Sequence, residues 1–221
     1  MDEVQALRKT VAALRAPGGC PWDREQTHQS LTRCLIEECS ELLDTIDRDD
    51  HEHMREELGD VLLQVIFHAQ IREEAGDFNL QDVARDINDK LIRRHPHVFG
   101  DKKIDTSDEV LVEWEKIKAT EKKNGTQREG LFKHLPKQLP ALLYAYDVYK
   151  QIRKQELDSA GAFEQDEIET LADGLDEETA GSLIFSLAAA CREAGIDPEA
   201  ALRRYSQQIM EAIEDANLVA K

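Results

Sequence analysis

Residues 56–70 read EELGDVLLQVIFHAQ, and this stretch decides the fold class. Its apolar residues recur at every third and fourth position and cover most of the circumference of a helix, a pattern typical of a buried helix. A single polar stripe interrupts them and consists of Glu57, Asp60, Gln64 and His68. The sequence therefore predicts a central helix that carries acidic groups toward an interior.

Helical periodicity extends over most of the 221 residues, and aromatic residues make up only 5% of the chain. We therefore predict an all-α fold, with helices at 2–15, 27–48, 52–75, 80–94, 107–122, 139–156, 165–173, 176–194 and 198–216. His95-Pro96 should end the fourth of these helices, and Thr106 with Glu109 is a candidate capping box for the fifth. The best linker candidate is Lys123-Asn124-Gly125-Thr126, which predicts two domains, 1–125 and 126–221.

Composition excludes several classes of protein. The formal net charge is −18, so the chain should repel duplex nucleic acid. The sequence contains no apolar run of about 18 residues that could span a membrane, and its acidic N-terminus does not resemble a signal peptide. The cysteines match no zinc or disulfide pattern, which predicts a cytoplasmic protein with reduced thiols packed in a helical core: Cys20, Cys34, Cys39 and Cys191.

Two acidic pairs are candidate metal ligands. Glu38 and Glu41 are three residues apart, as are Glu57 and Asp60, so each pair shares one face of a helix. The apolar stripe of the helix at 27–48 consists of Leu31, Leu35, Leu42 and Ile46, and the first acidic pair flanks this stripe together with Cys34 and Thr45. The solvent face of the same helix lies elsewhere and consists of Arg33, Glu37, Asp44 and Arg48. The alternative is a solvated acidic surface. Carboxylates that converge near an interior suit Mg²⁺ or Mn²⁺.

Basic residues of the fourth and fifth predicted helices are candidate phosphate ligands. Lys90 and Arg94 continue the apolar stripe of the helix at 80–94, and Arg93 lies beside them. Trp114 and Lys118 share a face of the helix at 107–122. There is a structural alternative for each group. The aliphatic parts of Lys90 and Arg94 could simply extend past the core to solvent, and Trp114 could simply pack in the core.

These residues belong to motifs that resemble one family, the MazG-type nucleoside triphosphate pyrophosphohydrolases. The matching stretches are GCPWDREQTH at 19–28, EECSE at 37–41, EELGDVLLQVIFHAQ at 56–70, KLIRRHPHVF at 90–99 and WEKIK at 114–118. The resemblance covers about residues 1–122. It implies an all-α fold that dimerises and an enzyme that converts a nucleoside triphosphate and water to the monophosphate and pyrophosphate.

The resemblance also assigns roles to residues. It implies that Mg²⁺ is held by Glu38, Glu41, Glu57 and Asp60, and that substrate contacts Lys90, Arg94, Trp114 and Lys118, with Arg93 as a possible substitute. A metal-bound water, or one aligned by a spare carboxylate such as Glu37 or Glu56, would attack the α-phosphorus. We expect a broad, house-cleaning specificity.

The second half is interpreted as a degenerate, non-catalytic copy of the first. With Gly59 aligned to Gly181, Glu57 and Asp60 correspond to Thr179 and Ser182, and Lys90 and Arg94 correspond to Gln208 and Ala212. A core pattern remains, which predicts a helical scaffold that packs on the first half or on a partner subunit: Leu183, Ile184, Leu187, Ala190, Cys191, Leu202, Tyr205, Ile209 and Ile213.

Three other functions remain open from the sequence. A di-iron carboxylate bundle needs paired E-x-x-H motifs, and Glu25 with His28 is the one candidate. A non-enzymatic helical interaction module would carry the acidic pairs as remnants. A pyrophosphohydrolase specific for a single modified nucleotide is the closest enzymatic alternative.

Overall fold

A computed structural model describes residues 3–104, 106–123 and 130–219. It divides into two units, Met1–Gly125 and Thr126–Lys221, and every regular element in the described ranges is a helix. The predicted all-α fold is confirmed. The linker residues Asn124, Gly125 and Thr126 lie outside the described residues. None of the described helices combines the length and the apolar character needed to cross a membrane.

The first unit contains seven helices within its described residues. They are α1 (Glu3–Arg15), α2 (Pro21–Glu25), α3 (Thr32–Asp47), α4 (His51–Ala75), α5 (Leu80–Arg94), α6 (Pro96–Phe99) and α7 (Ser107–Lys123). The short helices α2 and α6 were not predicted, and both begin with a proline. α3 begins five residues later than predicted, because Thr27 and Ser30 hold a local turn: each backbone N–H donates to the other's hydroxyl, at 2.9 and 3.1 Å.

The core of the first unit forms where α1 and the start of α3 pack on α4. Its buried residues are Val11, Leu31, Ile66 and Phe67. α4 is less buried than predicted, because Leu58 and Val65 lie exposed on the flank away from this core. On α3, Ile46 is likewise exposed, whereas Thr45 is buried and its hydroxyl donates to the carbonyl of Leu42 at 2.8 Å.

Caps place the helices that carry the candidate site. Asp50 accepts a hydrogen bond from the backbone N–H of His53 at the start of α4. α5 begins with a capping box of Asn79 and Asp82 and ends before His95-Pro96, as predicted. At α7 the backbone N–H of Glu109 donates to the hydroxyl of Thr106 at 3.3 Å, which is one half of the predicted box.

The second unit contains α8 (Ala141–Lys154), α9 (Gln165–Ala172), α10 (Glu177–Glu193) and α11 (Pro198–Val219). Its core joins α8 to α11 through Tyr144, Val148, Ile152 and Ile213, with Ile209 packed against it. Several of the predicted core positions are exposed in the described structure: Leu183, Ile184 and Leu187 of α10 are 53%, 46% and 67% exposed, and Tyr205 of α11 is also exposed. Helical spacing shows that residues share a face, but it does not supply a partner to cover that face.

The cysteines are free thiols, as predicted, but they do not form part of the core. Cys39 is exposed, and Cys20, Cys34 and Cys191 are only half-buried. Cys34 and Cys39 lie on α3, where a helical pitch of about 100° per residue turns them to different sides.

Candidate functional site

An acidic cluster forms where α3 runs beside α4. The turn at residues 48–50 reverses the chain, so the middle of α3 meets the beginning of α4. Glu38 and Glu41 of α3 and Glu57 of α4 each place one carboxylate oxygen within 4.8 Å of the others. Glu38 and Glu57 are half-buried, whereas Glu41 is exposed, so the cluster is open to solvent on one side.

Electrostatic repulsion characterises this acidic cluster. Burial raises the pKa of Glu38, and so do the charges of Asp60, Glu41 and Glu57. Burial likewise raises the pKa of Glu57, together with the charges of Glu41 and Asp60. Asp60 lies outside the 4.8 Å group, but its charge acts on both of these residues. Oε2 of Glu57 is buried and has no hydrogen-bond partner among the described residues. A cation would relieve this accumulation of negative charge.

Glu37 and Glu56, the predicted candidates for aligning water, lie beside the cluster. Glu37 accepts a hydrogen bond from Nε of Arg33 at 2.6 Å on the exposed face of α3. Its charge has the smallest effect among those that raise the pKa of Glu38. Glu56 is exposed, and its charge contributes to the raised pKa of Glu57. Glu37 is therefore exposed and paired with Arg33, one helical turn before Glu41 on α3.

The polar stripe of α4 continues inward from the cluster to a histidine pair. Gln64 is buried. The ring of His68 stacks on that of His28, with centroids 5.0 Å apart and an interplanar angle of 6°, and their Nδ1 atoms are 2.7 Å apart. Burial lowers the pKa of His68, as does the charge of His28. His28 therefore contacts another histidine. A di-iron site would instead use a histidine together with carboxylates as metal ligands.

Sequence reasoning missed this pairing. The sequence offers His28 as a partner of Glu25 and as the end of the motif at 19–28, and His68 as a member of the polar stripe at 56–70. The two residues are 40 positions apart. The sequence does place His68 on the same stripe of its helix as Glu57 and Gln64. This indicates that the side chain of His68 points toward the interior, but it does not identify the residue that His68 contacts.

The predicted substrate ligands of α5 and α7 form a second group around Trp114. The guanidinium of Arg94 lies 5.6 Å from the centroid of the Trp114 ring, and Nζ of Lys118 lies 5.7 Å from it. His95 meets the same ring edge-on, at 4.9 Å. Arg93 and Arg94 both bind the carboxylate of Glu121, a residue that sequence reasoning missed. The structure therefore brings together four of the five predicted substrate residues.

Lys90, the fifth predicted substrate residue, lines a cleft along α5. The cleft has a volume of about 370 Å³ and is lined by Phe78, Asp82, Val83, Asp86, Ile87 and Lys90. Lys90 shares its face of α5 with Val83 and Ile87, as the helical spacing predicts. The lining therefore combines apolar side chains with two carboxylates and one ammonium group.

Comparisons with known proteins agree on one family. Residues 26–99 match the family described as the MazG nucleotide pyrophosphohydrolase domain. The chain is 51% identical over 148 residues to a Bacillus subtilis protein named "Uncharacterized protein YabN", covering 67% of this chain and 30% of that protein. It is 44% identical over 216 residues to the "Nucleoside triphosphate pyrophosphohydrolase/pyrophosphatase MazG" of Thermotoga maritima, covering 94% of this chain and 82% of that protein.

A third relative is the "Nucleoside triphosphate pyrophosphohydrolase" of Escherichia coli, which is 43% identical over 152 residues. That match covers 68% of this chain and 57% of the relative. The chain therefore spans most of the Thermotoga protein but only part of the Bacillus and Escherichia ones. The match to the family model includes the acidic cluster, the histidine pair and α5.

Proposed function

Because the chain belongs to the MazG nucleotide pyrophosphohydrolase family, we propose that it hydrolyses nucleoside and deoxynucleoside triphosphates to monophosphate and pyrophosphate. The reaction depends on Mg²⁺, for which Mn²⁺ can substitute, and the specificity is broad. The observation that carries the proposal is the convergence of Glu38, Glu41 and Glu57 within 4.8 Å on two adjacent helices.

The residues of the acidic cluster fit a hard divalent cation. They offer only oxygen ligands, they repel one another, and Glu57 keeps a buried oxygen without a hydrogen-bond partner among the described residues. We assign the metal to Glu38, Glu41 and Glu57, with Asp60 as the fourth ligand. When bound, Mg²⁺ would neutralise phosphate oxygens and lower the pKa of a coordinated water.

The chain's own residues bind and orient the substrate. Arg93, Arg94 and Lys90 hold the negative charge of the triphosphate and of the departing pyrophosphate. Trp114 and Lys118 contact the nucleoside side. Of the two carboxylates proposed to align the attacking water, Glu56 is the better candidate, because Glu37 is bound to Arg33. A catalytic part for Glu37 stays a prediction.

The proposed functional form is a homodimer of two copies of this chain. Ile36 and Leu43 of α3 are 61% and 60% exposed, and Leu58 and Val65 of α4 are also exposed. Each pair is seven residues apart, so each forms a stripe along its helix. Apolar stripes of this kind mark association surfaces, and two-fold dimers are the commonest assembly. A cytoplasmic location and the exclusion of duplex nucleic acid stay predictions.

The products of the reaction test the proposal. The full chain is incubated with Mg²⁺ and a panel of ribo- and deoxyribonucleoside triphosphates that includes modified bases, and the products are separated. Pyrophosphate and monophosphate should appear from many of the nucleotides, and EDTA should abolish them. Orthophosphate with nucleoside diphosphate as the main products would contradict the proposal. Turnover of a single modified nucleotide would establish the narrow alternative in place of broad specificity.

A further inference from the structure

Glu121, near the end of α7, binds two neighbouring arginines at the end of α5. Its Oε1 accepts a hydrogen bond from Nε of Arg93 at 2.7 Å. Its Oε2 accepts from Nε and Nη2 of Arg94 at 3.1 and 2.6 Å. This carboxylate is a direct polar link between α5 and α7, whose paired residues are 27 and 28 positions apart.

The contact with Glu121 fixes the orientation of the Arg94 guanidinium. Two hydrogen bonds from Nε and Nη2 to one carboxylate oxygen restrict the rotation of the guanidinium, which lies over the Trp114 ring. Among the described residues, no acceptor is bound to the third nitrogen, Nη1. The arginine is therefore held at one edge and retains donors for a further anion.

We propose that Glu121 is a positioning residue of the substrate site: it holds Arg94 against Trp114 so that both are oriented for the triphosphate before the substrate arrives. The inference rests on the proposed function, which makes Arg93 and Arg94 phosphate ligands. Ordering these long side chains in advance reduces the conformational entropy lost on binding.

The net charge around Trp114 favours a role for Glu121 in positioning the arginines over a role in blocking the binding of phosphate. One carboxylate is shared by two guanidiniums, and Lys118, which pairs with Glu115 at 3.7 Å, lies near the same ring. Three cations thus face two carboxylates, and the group keeps a net positive charge. Hydrogen bonds from Arg94 and Arg93 lower the pKa of Glu121 to about 2, so it stays ionised at neutral pH.

The competing model makes Glu121 an internal competitor that the phosphates must displace. That model gives the opposite result, because removal of the carboxylate would then tighten substrate binding.

The first test is kinetic and uses Glu121→Gln with ATP and Mg²⁺. We expect kcat/KM to fall about tenfold, mostly through KM. The matched control is Glu113→Gln, on the same helix as Glu121, which removes an ion pair with Lys102 of the segment before α7 and should change kcat/KM by less than about twofold. An unchanged or increased kcat/KM in Glu121→Gln would overturn the proposal, and a lower KM would establish the competitor model.

A double-mutant cycle separates positioning from general support of the fold. In an Arg94→Lys background, Glu121→Gln should cost less than about a further twofold, because the two residues act through one contact. Effects that multiply independently would overturn the proposal. Glu121→Asp keeps the charge and should recover part of the loss, which also guards against a Gln variant that folds poorly.

A fluorescence readout does not depend on turnover. In a Trp22→Phe background, Trp114 is the remaining tryptophan. Both Glu121→Gln and Arg94→Lys should change its emission in the same direction without nucleotide, because the guanidinium no longer lies over the ring. An unchanged emission in Glu121→Gln would overturn the positioning role. If the wild-type chain released no pyrophosphate, the proposed function would fail while this measurement still decided whether Glu121 orients Arg94.

Discussion

The two units of the chain are both built from helices around a small apolar core, but they differ in what lies beside that core. In the first unit, α4 carries Glu57 next to the carboxylates of α3. In the second, the aligned positions on α10 are Thr179 and Ser182, and α10 exposes its apolar residues. The residues that form the core of each unit are therefore not the residues on which the proposed chemistry depends.

This difference supports, but does not test, the interpretation of the second unit as a degenerate copy. Its α8–α11 core is well formed, with Tyr144, Val148, Ile152 and Ile213 buried. The cation positions also differ, since Lys90 and Arg94 align with Gln208 and Ala212. A non-catalytic scaffold stays a prediction, and substitutions at matched positions of the two units test it.

The largest expected effect follows from Glu57→Gln. Loss of one charged ligand from the acidic cluster should lower Mg²⁺-dependent turnover by at least about a hundredfold while the helices remain folded. The control is Thr179→Ala at the aligned position of α10, which should leave kcat within about twofold. Turnover that survives Glu57→Gln and is lost in Thr179→Ala would place the activity in the other unit.

A slightly smaller effect is expected from the cations. Lys90→Ala should reduce kcat/KM by about 30- to 1,000-fold, because it removes a phosphate contact that strengthens in the transition state. Gln208→Ala, its counterpart in the second unit, should have no measurable effect. If both variants keep wild-type kinetics, Lys90 only extends from the α5 cleft into solvent.

Metal binding should stabilise the first unit. The raised pKa values of Glu38 and Glu57 mean that the folded state binds protons more tightly than the unfolded one. The stability contributed by these two groups is therefore greatest below their ordinary pKa and decreases as the pH rises toward the folded values. Mg²⁺ at a hundred times its Kd should restore about 2.7 kcal/mol, measured as a rise in Tm.

The pH dependence and a matched pair of variants sharpen this prediction. The Tm rise should grow from about pH 5 to about pH 7, as protons cease to compete with the metal. Glu38→Gln should raise Tm without metal and abolish the response to Mg²⁺, whereas Glu178→Gln on α10 should leave the response intact. An equal response in both variants would mean that Mg²⁺ acts on the general negative charge of the chain.

The smallest expected effect concerns the two aligned glycines. A Cβ at Gly59 or Gly181 would meet no neighbour within 4 Å, so nothing in the described part of this chain requires glycine at either position. Within one chain, Gly→Ala in a helix interior should stabilise by about 1 kcal/mol. If Gly59→Ala instead lowers Tm and weakens the dimer, as shown by sedimentation, then a second copy packs closely against α4. The same comparison at Gly181 shows whether α10 has such a partner.

Local pattern predicted much of this molecule. The helices follow from spacing at three and four residues, which is a property of each segment alone, and the all-α fold and the MazG family are confirmed. Boundaries were missed where side chains compete with the helix, as in the Thr27–Ser30 turn before α3. The convergence of Glu38, Glu41 and Glu57 in the structure agrees with the predicted ligand set, whose role in metal binding stays a prediction.

The helices, the spacing of the acidic pairs and the family can be read from the amino-acid sequence alone, because they depend on neighbours within a few residues or on contiguous motifs. The contacts of Glu121 with Arg93 and Arg94, the stacking of His28 on His68, and the position of Asp60 outside the closest carboxylate group became visible in the folded chain. So did the burial of Thr45 and the exposure of Leu187. The physical reason is that these facts depend on which surfaces of distant helices meet, and helical periodicity defines a face without determining what covers it.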